Sequence, residues 1–111
     1  MYEAPRRTRA LVSLIIDVRN VTPTVVALAG ELDAFTSRQL RDRLDQLFDS
    51  GTRELVIDLA ALEFIDSTAL GVLVGALKRA RRDDGDVQLR GVTPAAKQVF
   101  DVSGLSRMFA L

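Results

Sequence analysis

The run Leu55-Val56-Ile57-Asp58-Leu59 has an amphipathic helical pattern on each side of it, and this arrangement constrains the fold more than any other feature. Before it, Leu40, Leu44, Leu47 and Phe48 fall at i, i+4, i+7 and i+8, one apolar stripe on a helix. After it, an apolar helical pattern runs from Leu70 to about Arg82. A short buried strand between two helices belongs to a crossover, which implies parallel pairing and a right-handed connection. Around this unit lie Leu11 to Val18 and Val25 to Ala29, two β-branched and aliphatic runs. The turn chemistry of Asn20-Val21-Thr22-Pro23-Thr24 joins them as an antiparallel hairpin. Gly30-Glu31-Leu32-Asp33 leads out of the sheet, Thr36 or Ser37 caps the first helix, and Gly51 ends it. Gly85 breaks the second helix, Val87 to Val92 forms a fourth strand, and Thr93-Pro94 caps and opens a last helix. The order β-β-α-β-α-β-α predicts an α/β domain with a mixed sheet of four strands or slightly more, its helices packed on it.

At 111 residues the chain is expected to be one domain, with residues 1–9 a polar lead-in and 10–111 the folded part. No cysteine and no histidine are present, which removes thiol nucleophiles, thiolate metal sites and imidazole bases. Fifteen basic and fifteen acidic residues cancel, which argues against direct nucleic-acid binding. No apolar run approaches the roughly 18–20 residues needed to span a bilayer, and the arginine-bearing lead-in does not have the form of a signal peptide. These features point to a cytoplasmic location and no membrane partner.

The functional candidate is Phe64-Ile65-Asp66-Ser67-Thr68-Ala69-Leu70-Gly71, where a strand feeds a helix. A helix N-terminus presents unpaired N–H groups and a partial positive charge, which suits an anion such as a phosphate on Ser67. A serine there also serves as an ordinary N-cap, unless Asp66 caps the helix and leaves Ser67 free. At about 100° per residue, Leu70, Leu73, Leu77 and Ala80 share one face, and Thr68, Gly71, Val72 and Gly75 share the opposite one. Two glycines in a helix interior cost about 1 kcal/mol each relative to alanine. They serve either close packing inside the domain or a flat surface for a partner. Lys78, Arg79, Arg81 and Arg82 make either a solvated helix end or a dock for an acidic surface. Asp33, Asp58 and Asp66 are the only set that would suggest an acid–base pair or a magnesium site, and no phosphate-cradling loop supports turnover. An enzyme is therefore not expected, and no cofactor is implied.

Three segments resemble the bacterial anti-sigma factor antagonists, which are single STAS domains. Gly30-Glu31-Leu32-Asp33 resembles their turn after the second strand, and Asp66-Ser67-Thr68-Ala69-Leu70-Gly71 their phosphorylation loop. Thr93 to Leu105 resembles their late helix. The resemblance implies a partner switch. The unmodified protein binds an anti-sigma factor that is also a serine kinase and so frees a sigma factor. The kinase, supplying its own ATP, phosphorylates the serine matching Ser67, and a serine phosphatase reverses this. Thr68 matches the second hydroxyl and is the second choice as acceptor. Asp33 and Asp66 match acidic positions expected near Ser67, although Asp33 alternatively serves its own turn. The partner-binding set is Asp33, Asp66, Ser67, Thr68, Gly71, Val72 and Gly75. Ala69 replaces the family's glycine and is expected to point inward. The chain also stops soon after the late helix, which would leave core exposed and favour a weak homodimer. The alternative within the same fold is a STAS subunit of a transporter or sensory assembly whose serine is never modified.

Overall fold

Alternation at a period of two and stripes at 3.6 divide the described residues into seven elements, in the expected order. A computed structural model describes residues 13–111. The elements are β1 (Leu14–Arg19), β2 (Thr24–Leu32), α1 (Ser37–Asp49), β3 (Glu54–Ile65), α2 (Leu70–Arg82), β4 (Asp86–Arg90) and α3 (Pro94–Val102). The sheet runs β1-β2-β3-β4. β1 and β2 form the antiparallel hairpin, whereas β3 pairs in parallel with β2 on one side and β4 on the other. The expected strand residues 11 and 12 and the lead-in 1–9 lie outside the described residues.

Two strands are longer than their apolar runs. β2 keeps Gly30, Glu31 and Leu32 in the sheet, and β3 continues to Ile65 instead of ending at Leu59. Bulges hide this continuation from the alternation pattern. Ala27 and Ala29 face Asp58 and Ala61, and Gly30 and Glu31 face Leu62 and Phe64, so β3 carries an extra residue at each shift. Gly30, at φ +99°, sits against the Ser13 carbonyl, where a Cβ would collide. Only glycine takes that conformation and that contact together.

One face of the sheet carries Leu14, Val26, Leu28, Leu55, Ile57, Leu59 and Val87, all buried. The inner stripes of the helices complete this core: Leu40, Leu44 and Leu47 from α1, Leu70, Leu73 and Leu77 from α2, Ala96 and Phe100 from α3. The opposite face holds Ile15, Asp17, Arg19, Gln88 and Arg90 in solvent. Beyond α3 the chain folds back, and Phe109 packs edge to face on Phe100 with ring centroids 5.7 Å apart. The core at that end is therefore covered by Phe109, which is itself buried, and does not lie open as the sequence suggested. Thr93 caps α3 as expected, its hydroxyl accepting the Ala96 N–H at 3.1 Å.

Candidate functional site

Leu32 and Ile65 are register partners at the ends of two parallel strands, so the junctions that follow them emerge side by side. The Asp66 N–H donates to the Leu32 carbonyl at 3.2 Å and ties the two together. Asp33 opens one junction and Asp66 the other.

In the first junction every polar side chain is engaged. The Asp33 carboxylate accepts the Phe35 and Thr36 N–H groups, both at 2.9 Å. The Thr36 hydroxyl accepts the Asp33 N–H at 2.9 Å and donates to the Glu31 carbonyl at 2.8 Å. This reciprocal pair stands where Thr36 or Ser37 was expected to cap α1. Thr36 lies in helical conformation and makes no cap bond toward α1. Its hydroxyl has turned back into the junction, and Asp33 supplies the acceptor. Of the two roles open to Asp33, the structure shows the one in its own turn.

In the second junction the division of labour differs. Asp66 accepts the Ala69 N–H at 2.9 Å and holds the turn that leads into α2, as Asp33 does with Thr36, but here the hydroxyls stay out of the turn. Ser67 and Thr68 are exposed, and neither hydroxyl makes a hydrogen bond among the described residues. Ala69 is fully buried, so its methyl group points into the core as expected.

The two faces of α2 separate as the periodicity predicts. Leu70, Leu73, Leu77 and Ala80 are 0–1% exposed. Gly71 and Gly75 are exposed on the other side, and a Cβ built on either would meet nothing within 4 Å. Close packing inside the domain therefore does not explain them. They form the bare waist of a groove of about 780 Å³ between α1 and α2. Thr68, Ala34 and Ser37 line one end, Arg41 and Val72 the middle, and Arg79 and Arg82 the other end. Arg79 bridges the helices: it binds Asp49 at 2.6 Å and Asp45 at 3.2 Å and lies over the Phe48 ring, 5.1 Å from its centroid.

Asp58 is separate from this site. It lies seven residues back along β3 from Ile65, about 20 Å at strand rise. It pairs with Arg90 at 3.1 Å, and the Ala60 N–H holds its carboxyl below the usual range, with Arg90 adding to the effect. Among the described residues no group of three or more acidic side chains is placed to hold a metal ion.

Comparison with known proteins agrees with this architecture. A family model described as "Mlab, STAS domain" matches residues 17–110. The chain belongs to the STAS domain family. An anti-sigma-B factor antagonist of Staphylococcus aureus is 34% identical over 80 residues, spanning 72% of this chain and 74% of the relative. Among solved structures, an anti-sigma factor antagonist from Mycobacterium paratuberculosis superposes with a TM-score of 0.78 at 26% identity, covering 87% of this chain and 83% of that one. The anti-sigma factor antagonist SpoIIAA in its unphosphorylated form gives 0.75 at 26% identity, covering 84% of both chains. The phosphorylated form of the same Bacillus protein gives 0.68, covering 84% and 86%.

In this STAS domain the structure gathers Asp66, Ser67, Thr68, Gly71, Val72 and Gly75 at one junction and along one helix face. Asp33 stands at the neighbouring junction, with its carboxylate turned to its own backbone. Sequence reasoning missed the contribution of α1 to the groove, from Ala34, Ser37 and Arg41. It also missed Phe35, which is 93% exposed and follows Ala34, a residue of the groove lining. The signal was available: Phe35 lies outside the stripe of Leu40, Leu44, Leu47 and Phe48, so nothing in the pattern buries it. No helix among the described residues is long and apolar enough to cross a membrane.

Proposed function

We propose that this STAS domain is an anti-sigma factor antagonist switched by phosphorylation of Ser67. The unmodified form binds an anti-sigma factor that is also a serine kinase, and a sigma factor is released. The kinase, using its own ATP, phosphorylates Ser67 and ends the binding, and a serine phosphatase restores it. The protein acts by binding, and the chemistry belongs to its partners. One observation carries the reading: the Ser67 hydroxyl is exposed and unbonded among the described residues, the turn before α2 being held by Asp66, and it adjoins a helix face bare at Gly71 and Gly75. A serine with no structural work, next to a surface that costs helix stability, fits a modified contact. The names of the relatives support the same role, and one of them has been solved in phosphorylated and unphosphorylated forms.

A phosphate on Ser67 would add a charge of roughly −1.5 to −2 beside Asp66. The helix N-terminus offsets part of that repulsion. The fold is held by other residues, so the modification acts on the approaching partner.

The test is to mix the protein with the anti-sigma factor kinases of its own genome, ATP and magnesium, and to weigh the intact product. One added phosphate is expected, absent from Ser67→Ala and retained in Thr68→Ala, with loss of partner binding once it is added. Partner binding with no phosphate, unchanged in Ser67→Glu, would instead favour a STAS subunit of a transporter or sensory assembly.

A further inference from the structure

We infer that the groove between α1 and α2, together with Phe35 at its mouth, docks an acidic helical segment of the anti-sigma partner. This rests on the antagonist reading and adds the chemistry of the occupant.

The groove has a mixed lining, with Leu44, Phe48 and Val72 beside Thr68, Arg41 and Arg82. α1 and α2 each join a pair of parallel strands and so run in the same direction, with Arg79 of α2 beside Asp45 and Asp49 of α1. From Thr68 to Arg82 is about 21 Å of helix, enough to seat an α-helical segment of three to four turns. Along the groove as a whole the charge is unbalanced. Asp45 and Asp49 are both engaged by Arg79. Arg41 and Arg82 have no ion-pair partner among the described residues, and both line the groove. Even with both carboxylates counted, the three arginines leave the groove net positive, with Arg41 unpaired at its middle and Arg82 at its far end, and the complement is a carboxylate-bearing segment.

The near end supplies an anchor. Phe35 follows Ala34, which lines the groove, and its ring is 93% exposed. The backbone beneath it is pinned, with the Phe35 and Thr36 N–H groups both held by Asp33. The aromatic is thus presented to solvent from a preordered turn, so little freedom is lost when a partner covers it. Exposed aromatics with this geometry act as interface hot spots, and arginine is the charged residue most enriched beside them. The glycine waist between anchor and arginines lets the occupant pass close to the backbone.

The test uses the anti-sigma factor that binds the wild-type protein, titrated calorimetrically against variants. Phe35→Ala is expected to raise Kd at least tenfold. The double variant Arg41→Glu/Arg82→Glu is expected to raise it at least tenfold in 50 mM NaCl and much less in 500 mM, because exposed charge pairs are screened (concentrations set at about 0.3 and 3 times physiological ionic strength). Arg38→Glu, an exposed α1 charge outside the groove, is expected to change Kd less than twofold. Thermal melts of all variants should match the wild type, since every altered side chain is exposed. Wild-type binding with Phe35→Ala and the double variant unchanged would overturn the inference and leave the antagonist reading standing. An Arg38→Glu effect equal to that of the double variant would also overturn it, as unspecific charge attraction. A wild-type dimer in sedimentation that Phe35→Ala dissolves would assign the surface to a second copy. Failure of every anti-sigma factor to bind the wild type would overturn both readings.

Discussion

The two strand-to-helix junctions are built from similar residues and leave their polar groups in opposite states. Asp33-Ala34-Phe35-Thr36 uses its carboxylate and its hydroxyl in a closed set of hydrogen bonds, and Thr36 is 5% exposed. Asp66-Ser67-Thr68-Ala69 makes one turn bond from Asp66 and leaves two hydroxyls in solvent. Both junctions emerge from the same end of the sheet, so the difference does not come from topology. It lies in which side chain the backbone uses. A hydroxyl that carries structure is buried and bonded at both lone pair and proton. The Ser67 and Thr68 hydroxyls take no part in the hydrogen bonds of their junction.

The contrast breaks most sharply at Thr36. Thr36→Val keeps the shape and removes the acceptor of the Asp33 N–H and the donor to the Glu31 carbonyl. Leaving buried backbone groups unpaired costs about 2 kcal/mol. For a domain of this size that is roughly 8–16 °C in Tm, read by thermal melting. Ser67→Ala and Thr68→Ala should stay within about 0.5 kcal/mol of the wild type, as surface changes without a partner do. A Ser67→Ala loss comparable to that of Thr36→Val would show the hydroxyl to be structural and remove the basis of the proposed switch. Next in size are the two junction carboxylates. Asp33→Ala frees two N–H groups and is expected to cost about 1–2 kcal/mol, and Asp66→Ala frees one and is expected to cost about 1 kcal/mol, both measured by urea denaturation.

Much of this was legible in the sequence because it depends on period and on local chemistry. The stripe at Leu70, Leu73, Leu77 and Ala80 is enough to place the bare face of α2, and Thr93-Pro94 announces its own cap. The misses have physical causes. The length of β3 was hidden by two bulges, each of which shifts the alternation by one residue. The Thr36 cap was misassigned because a threonine before a helix can bond forward or backward, and the Asp33 three residues earlier decides which. The groove was half seen. One helix wheel shows one wall, and nothing in it tells which residues of α1 form the other.

A smaller effect, opposite in sign, sharpens the comparison between the faces of α2. Gly71→Ala and Gly75→Ala meet no neighbour and remove backbone freedom from the unfolded chain. Each should stabilise the domain by up to about 1 kcal/mol, seen as a higher Tm. Each also places a methyl group where the anti-sigma partner would contact the backbone, so binding should weaken as stability rises. Gain of stability with unchanged binding would separate the glycines from the interface.

The smallest effect concerns Asp58, on the sheet face away from the groove. Its carboxyl is held below the usual range by the Ala60 N–H and by Arg90. A depressed carboxylate contributes stability that is full above its unfolded pKa and is lost as pH falls through the folded one. Its share should therefore be present at pH 6 and fade below about pH 4. The pair with Arg90 is largely exposed on the arginine side, so the contribution is well under about 1 kcal/mol. Asp58→Asn should lower stability slightly at pH 6 and approach the wild type near pH 3, followed by urea midpoints across that range. Partner binding should not follow the same curve, because Asp58 stands about 20 Å along β3 from the Ser67 junction. A binding profile that tracked the titration of Asp58 would mean that the two ends of the strand are coupled, and the division between a structural sheet face and a functional helix face would not hold.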